Sequence, residues 1–176
     1  MEWRLRCKKA LVVFTTIRTY EPEDKNGIVL LYQAVFAEPP WCESWDADEV
    51  GQDLDYALSQ ESPIVLVAKN SELVGFTWGY RLKLENFNWL TGRVSDNTAY
   101  MDEIAVKTGS RLKGVGTLLG NRFLDLAAKQ GLSEVVLRTD ERNDASMALF
   151  RKLGFRQLGV RDPRYPERIY LGREVK

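Results

Sequence analysis

The residues of this chain most able to do chemistry lie in the run Arg111-Leu112-Lys113-Gly114-Val115-Gly116. It follows an apolar, strand-like segment, Tyr100 to Val106, and opens an amphipathic one. Two glycines one residue apart, between a strand and a helix, let the backbone approach a ligand closely. The first N–H groups of the helix have no partner within it and carry the positive end of its dipole, so such a turn holds phosphate. The same spacing also closes ordinary strand-to-helix turns. A second constraint comes from a missing residue type. The chain has no histidine, which excludes Ser-His and Cys-His nucleophile pairs and zinc sites built on histidine. Any general base must be a carboxylate, a tyrosine, a lysine or a water.

Charge is laid out unevenly around that turn. The formal net charge is zero, yet no Lys or Arg occurs from Asn26 to Ala68, where Glu38, Glu43, Asp46, Asp48, Glu49, Asp53, Asp55 and Glu61 lie. The part from Lys107 onward holds fifteen basic residues against eight acidic ones. The two halves therefore suit ligands of opposite sign. Asp46 also reads as a helix cap, with Asp48 and Glu49 in its first turn.

The elements that position these residues follow from periodicity. Leu11 to Tyr20 reads as a strand, and Pro22 opens a helix carrying Ile28, Leu31, Tyr32 and Val35. Pro39-Pro40 stops it, a stiff aromatic loop runs to Trp45, and a second helix starts at about Asp46. Pro63 to Lys69 and Glu72 to Leu82 form a hairpin around Asn70-Ser71. Lys83 to Asn97 is irregular, with Phe87 and Trp89 in it, and Thr98 to Lys107 is a strand. The helix after the glycine turn has Val115, Leu118, Leu119, Phe123, Leu126 and Ala127 on one face. A strand at Ser133 to Thr139, a helix from Asn143 to Leu153 ended by Gly154, and short strands at Gln157 to Val160 and Arg168 to Arg173 complete the chain. The expected fold is a mixed α/β one around a central sheet, as one domain over residues 1–176 with its core at about 11–171.

Composition is that of an ordinary soluble protein. The start, Met1 to Lys9, is basic, but Ala10 to Phe14 is too short for the apolar part of a signal peptide. Cys7 and Cys42 form no CxxC pattern, as befits a reducing compartment. Together these features predict a cytoplasmic protein with no membrane partner. The zero net charge and the acidic block argue against nucleic acid.

Three stretches resemble the GNAT family of N-acetyltransferases. Asp102-Glu103-Ile104-Ala105-Val106 followed by Arg111-x-x-Gly114-x-Gly116 is similar to the family's acetyl-CoA pyrophosphate loop. Asn143-Asp144-Ala145, leading into Ala148-Leu149-Phe150-Arg151-Lys152-Leu153-Gly154-Phe155, is similar to its Asn-x-x-Ala helix and closing Leu-Gly-Phe. Phe36-Ala37-Glu38-Pro39-Pro40-Trp41 resembles the acceptor-side loop of one branch. Element order agrees from about Leu11 to Leu171. A Rossmann dinucleotide site is set aside, because its third glycine and distal ribose acid are missing.

The resemblance implies a mostly antiparallel mixed sheet, splayed at the cofactor site and flanked by about four helices. It implies acetyl-CoA as co-substrate and no metal. Coenzyme A would be held by Ile104, Ala105 and Val106, through main-chain atoms of the strand, and by Arg111, Leu112, Lys113, Gly114, Val115, Gly116 and Thr117 at the turn. Asn143 and Phe150 complete that set, Asn143 serving also as a helix N-cap. The reaction implied is direct attack of a primary amine within a ternary complex. An alkylammonium ionises near 10.4, so a base or a water chain must take its proton. Glu103 is the first candidate. Strand alternation puts Met101, Glu103 and Ala105 on one face and Asp102, Ile104 and Val106 on the other, so only one of the two adjacent carboxylates is expected to face a given cavity.

Where many relatives carry a tyrosine to protonate the departing sulfur, this chain has Phe150. That leaves a water or Tyr165 for the role. For the acceptor, Glu38, Trp41, Glu43 and Trp45 suit a cationic small-molecule amine through carboxylate and cation–π contact. A protein or peptide amine, and a homodimer, stay open. A different reading is a non-catalytic acyl-CoA-binding sensor or interaction module, and Phe150 speaks for it.

Overall fold

The computed structural model describes residues 15–176. Cys7 and the expected strand residues Leu11 to Phe14 lie outside them. Among the described residues the sheet has seven strands: β1 (Thr16–Thr19), β2 (Ile64–Lys69), β3 (Leu73–Arg81), β4 (Thr98–Val106), β5 (Glu134–Asp140), β6 (Arg156–Arg161) and β7 (Arg168–Glu174). Their spatial order is β1-β2-β3-β4-β5-β7-β6. Every pair is antiparallel except β4 with β5. That parallel pair is joined by the crossover helix it requires.

Helices α1 (Lys25–Phe36) and α2 (Ala47–Ser59) cover one face, and α3 (Val115–Lys129) and α4 (Asp144–Lys152) the other. On the first face Ile28, Tyr32 and Leu54 pack with Val67, Phe76 and Trp78. On the second, Leu119, Phe123 and Phe150 pack with Leu66, Met101 and Leu137. The period-3.6 and period-2 patterns of the sequence converge on these two layers. Helix α2 begins as expected: Asp46 accepts from Asp48 N at 2.8 Å, and Glu49 reaches back to Asp46 N at 3.3 Å. Pro22 opens a short 3-10 turn, Pro22–Asp24, and α1 proper starts at Lys25. Asp24 is buried there, holding Arg18 at 2.7 Å and Lys69 at 3.3 Å and so tying the start of α1 to β1 and β2.

The stretch from Lys83 to Asn97 contains two 3-10 turns, Leu84–Asn86 and Asn88–Leu90, which seat Leu90 in the core. Helix α4 is capped by Asn143, whose Oδ1 accepts from Ser146 N at 3.1 Å, and is closed by Gly154 at φ +81°. Among the described residues no helix is long and apolar enough to cross a membrane.

Candidate active site

Strand β4 leads into a tight turn. Thr108–Ser110 forms a 3-10 turn, and Leu112 and Gly114 both take left-handed backbone angles, φ 60° and 85°. The second is natural only to glycine. No side chain caps α3 at Gly114, so the N–H groups of Val115, Gly116 and Thr117 start the helix without carbonyl partners inside it. No atom lies within 4 Å of where a Gly114 Cβ would stand, so the approach is open. Gly116 faces inward, against Leu149 of α4 and Val106 of β4. Val115 is buried while Leu112 and Lys113 are exposed. The Arg111 Nε donates to Val106 O at 3.0 Å, and its guanidinium pairs with Glu38 at 3.0 Å. Thr108 donates to the same carboxylate at 2.6 Å, and Lys113 Nζ to Gly109 O at 2.8 Å.

Beside this turn the sheet divides. The β4–β5 ladder runs only from Thr98 opposite Glu134 to Met101 opposite Leu137. Beyond it, Asp102 to Val106 and Arg138 to Asp140 part company: Val106 O is taken by Arg111 Nε and Asp140 O by the Asn143 N–H, and no β4–β5 ladder bond uses the remaining inner groups. The α3 N terminus and the Asn143 cap of α4 lie at the far ends of the two arms. Ile104 and Val106 turn their half-buried side chains to the α3 layer, and Ala105 turns to the α1 layer. Phe150 is buried with its ring edge-on to Phe155 at 5.9 Å.

The alternation expected along β4 is broken. Trp78 pairs with Glu103 but Gly79 with Met101, which leaves Asp102 as the extra residue of a β-bulge. The bulge turns both adjacent carboxylates to the α1 side, contrary to the one-face-each expectation. There Asp102 Oδ2 accepts from Trp78 Nε1 and from Tyr80 OH, each at 3.4 Å. Glu103 Oε1 accepts from Tyr32 OH at 3.4 Å, in an aromatic group where Tyr32 stacks on Phe76 and Trp78. Gly79 makes the bulge feasible: a Cβ there would lie 2.1 Å from Tyr100 O and 2.7 Å from the Phe123 ring.

Burial pushes the Asp102 carboxyl up to about 6, against the hydrogen bond from Trp78 and the charge of Arg138. Burial, and then the neighbouring Asp102, push Glu103 well above the usual carboxylate range. Two crowded acids with poor access to water both hold their protons more tightly than free carboxylates do.

Asp102 also lines a cavity of about 370 Å³ on the α1 side. Sequence reasoning did not find its walls. They include Tyr56 of α2, Tyr80 and Tyr100 of β3 and β4, Phe87 and Trp89 of the irregular segment, and Arg138 of β5. Arg138 stands directly opposite Tyr170 in the β5–β7 ladder. The buried Asp162 accepts from both, at 2.5 Å and 3.2 Å, and also takes the backbone N–H groups of Arg164 and Tyr165. The only sequence signal for this wall was the pair of bulky aromatics in an otherwise irregular stretch.

The four residues expected at the acceptor end already have partners within the chain. Glu38 is taken by Arg111 and Thr108. Glu43 accepts from Trp45 Nε1 at 3.0 Å and pairs with Arg168 at 3.4 Å. The Arg168 guanidinium lies between two rings, 5.6 Å from the Trp41 centroid and 4.6 Å from that of Tyr165. Trp45 stands edge-on to Tyr32. Tyr165, partly exposed in the β6–β7 turn, is 5.9 Å from the Arg138 guanidinium. The structure thus gathers Glu103 with Asp102, and the loop residues with Asn143 around the split, while Glu38 joins the turn rather than the cavity wall.

The model of the acetyltransferase (GNAT) family matches residues 29–155. A mycothiol acetyltransferase from Thermobispora bispora is 28% identical over 141 residues, covering 79% of this chain and 45% of the relative. The chain thus spans about half the length of that curated relative. The ribosomal-protein-S18-alanine N-acetyltransferase of Escherichia coli shares the fold, with TM-score 0.67, 19% identity, and 93% of this chain and 95% of that one covered. The PaiA N-acetyltransferase of Thermoplasma acidophilum, solved in complex with coenzyme A, gives TM-score 0.69 and 17% identity over 92% of this chain and 99% of that one.

Proposed function

This chain belongs to the acetyltransferase (GNAT) family, and from that premise we propose that it binds acetyl-CoA along the β4–β5 split and acetylates a primary amine seated in the aromatic cavity. One observation carries the reading: a single strand, β4, has an open helix N terminus at its end and two adjacent buried carboxylates at the apex of the split. The chain's groups fit coenzyme A. The free N–H groups of Val115, Gly116 and Thr117, with Arg111 and Lys113 beside them, suit a pyrophosphate. The unpaired edge of Ile104 to Val106 suits the amides of an extended arm. Asn143 borders the other side.

Acetyl-CoA, when bound, supplies the acyl group as a thioester. The protein's work is to hold the amine and take its proton, and a base ionising near neutral pH does this best. Asp102 meets that need, with Glu103 beside it held up by burial. The backbone N–H near Val106 is the donor for the carbonyl oxygen. Phe150 offers no hydroxyl to the departing sulfur, which leaves water or Tyr165 as the proton source. With no side-chain nucleophile assigned, attack is direct, within a ternary complex.

The test combines binding with turnover. Near-millimolar acetyl-CoA should raise the Tm by several degrees, as ligand at many times its Kd does. Thiol release should then appear with some member of a panel of amines. An unmoved Tm refutes the proposal. A raised Tm with no thiol release from any amine favours the second reading, a non-catalytic acyl-CoA-binding module, for which Phe150 is the supporting residue.

A further inference from the structure

The cavity at the apex of the split does not have the charge of a site for polycations. Three basic side chains, Lys83, Arg138 and Arg164, line it against one carboxylate, that of Asp102. Arg138 is neutralised by the buried Asp162. Lys83 and Arg164 enter no ion pair among the described residues. A further donor stands in the same wall. The Trp89 Nε1 is buried there, close to Tyr170. The remaining walls are the aromatic Tyr56, Tyr80, Phe87 and Tyr100 with the amides Gln60 and Asn86. Its volume, about 370 Å³, is at the small end for ligand sites and admits one compact molecule. Two unpaired basic side chains, the single carboxylate of Asp102 and aromatic walls together describe the complement of a zwitterion with a ring.

We propose that the acceptor is a free aromatic α-amino acid, with its amine at Asp102, its carboxylate at Lys83 and Arg164, and its ring among the cavity tyrosines and Phe87. This rests on the acetyl-transfer reading above and names the substrate class for it. In the transfer an N–C bond to the acetyl carbon forms, and the C–S bond breaks with its electron pair going to sulfur. The ammonium gives up one proton to the Asp102 carboxylate before attack, and a second balances the departing thiolate. The product is the N-acetyl amino acid.

Calorimetric titration of the intact chain, with and without coenzyme A, tests the proposal using phenylalanine, phenylalaninamide, phenethylamine and spermidine as probes. Phenylalanine should bind about tenfold tighter than the amide or the amine, the amount one charge-assisted hydrogen bond supplies. Lys83→Gln and Arg164→Gln should each erode that preference and leave phenethylamine binding unchanged. Spermidine should bind weakest. Equal binding of the amide, a stand-in for a peptide N terminus, overturns the proposal, as do tighter binding of spermidine and no detectable binding of phenylalanine. The comparison among ligands on the unaltered chain decides the matter even if one variant fails to fold. If phenylalanine shows its preference but acetyl-CoA leaves the Tm unmoved, acetyl transfer fails and the pocket assignment stands. The reverse pattern sinks the pocket assignment alone.

Discussion

Replacing Asp102 by Asn should make the protein more stable at neutral and alkaline pH, although it removes a charged group from a hydrogen-bonded site. The reason is the cost of keeping that charge where it is. Burial moves the carboxyl from an ordinary 3.8 to about 6. At about 1.4 kcal/mol per pH unit, holding the ionised form in the fold costs about 3 kcal/mol. Asn keeps an oxygen to accept from Trp78 Nε1 and Tyr80 OH, the two donors at 3.4 Å. It also relieves Glu103 of a neighbouring negative charge. The new amide N–H groups need partners, which takes back part of the gain, so about 1–3 kcal/mol should remain.

The sign follows from proton binding. The native state holds this proton more tightly than the unfolded chain does. The unaltered protein therefore has the full benefit below about pH 4 and loses it as pH rises through about 6. Urea unfolding at steps from pH 4 to pH 8 should show the two proteins converging at the acid end and separating above pH 6. In a chain of this size the separation corresponds to roughly 3–10 °C in Tm. A variant less stable than the parent at pH 8, or a difference that ignores pH, would refute the reasoning.

Three further changes bear on the same region. Gly79→Ala puts a Cβ 2.1 Å from Tyr100 O, which only a shift of backbone can relieve. It should cost more than about 3 kcal/mol in urea unfolding, in line with severe overpacking, and a cost under about 1 kcal/mol would mean that the bulge relaxes freely. Glu38→Gln breaks a half-exposed pair with Arg111, worth at most about 1 kcal/mol, so Tm should barely move. With Arg111 released, coenzyme A should bind tighter by calorimetry, whereas weaker binding would make Glu38 a prop for the turn. Glu103→Gln should spare cofactor binding, lower kcat by about a hundredfold or more, and change the acid limb of the pH–rate profile by removing one of the two buried carboxyls. An unchanged profile would remove Glu103 as the base.

Local signals read the chain well where they dominate. Asp46 with Glu49, Asn143 with Gly154, and the Gly114 turn each declare a helix end through their own side chains or backbone, and each stands where the sequence puts it. The hairpin from Ile64 to Arg81 follows from residue patterning. The bulge at Asp102 was not legible, because its cause lies on another strand: Gly79 has no Cβ to hold Met101 and Tyr100 away. That missing atom reverses the facing of every β4 residue beyond it relative to simple alternation.

The cavity was hidden for a similar reason. Tyr56, Phe87, Arg138 and Tyr170 come from four separated segments, and no spacing rule connects them. The acidic and aromatic residues from Glu38 to Trp45 were visible as a group. Their partners, Arg111 and Arg168, lie far along the chain in its basic part.

The split between β4 and β5 also bears on how the protein behaves in a crowded solution. Sheet edges usually lie on the outside, where proteins blunt them to keep other chains from pairing with them. Here two unpaired edges, Asp102 to Val106 and Arg138 to Asp140, face each other. Opposed in this way, they form a slot closed at its apex by the ladder that ends at Met101. A foreign strand must thread in from the open end, and the Gly114 turn and the Asn143 cap border that entrance. The geometry that leaves backbone groups unpaired therefore also protects them from intermolecular pairing and aggregation.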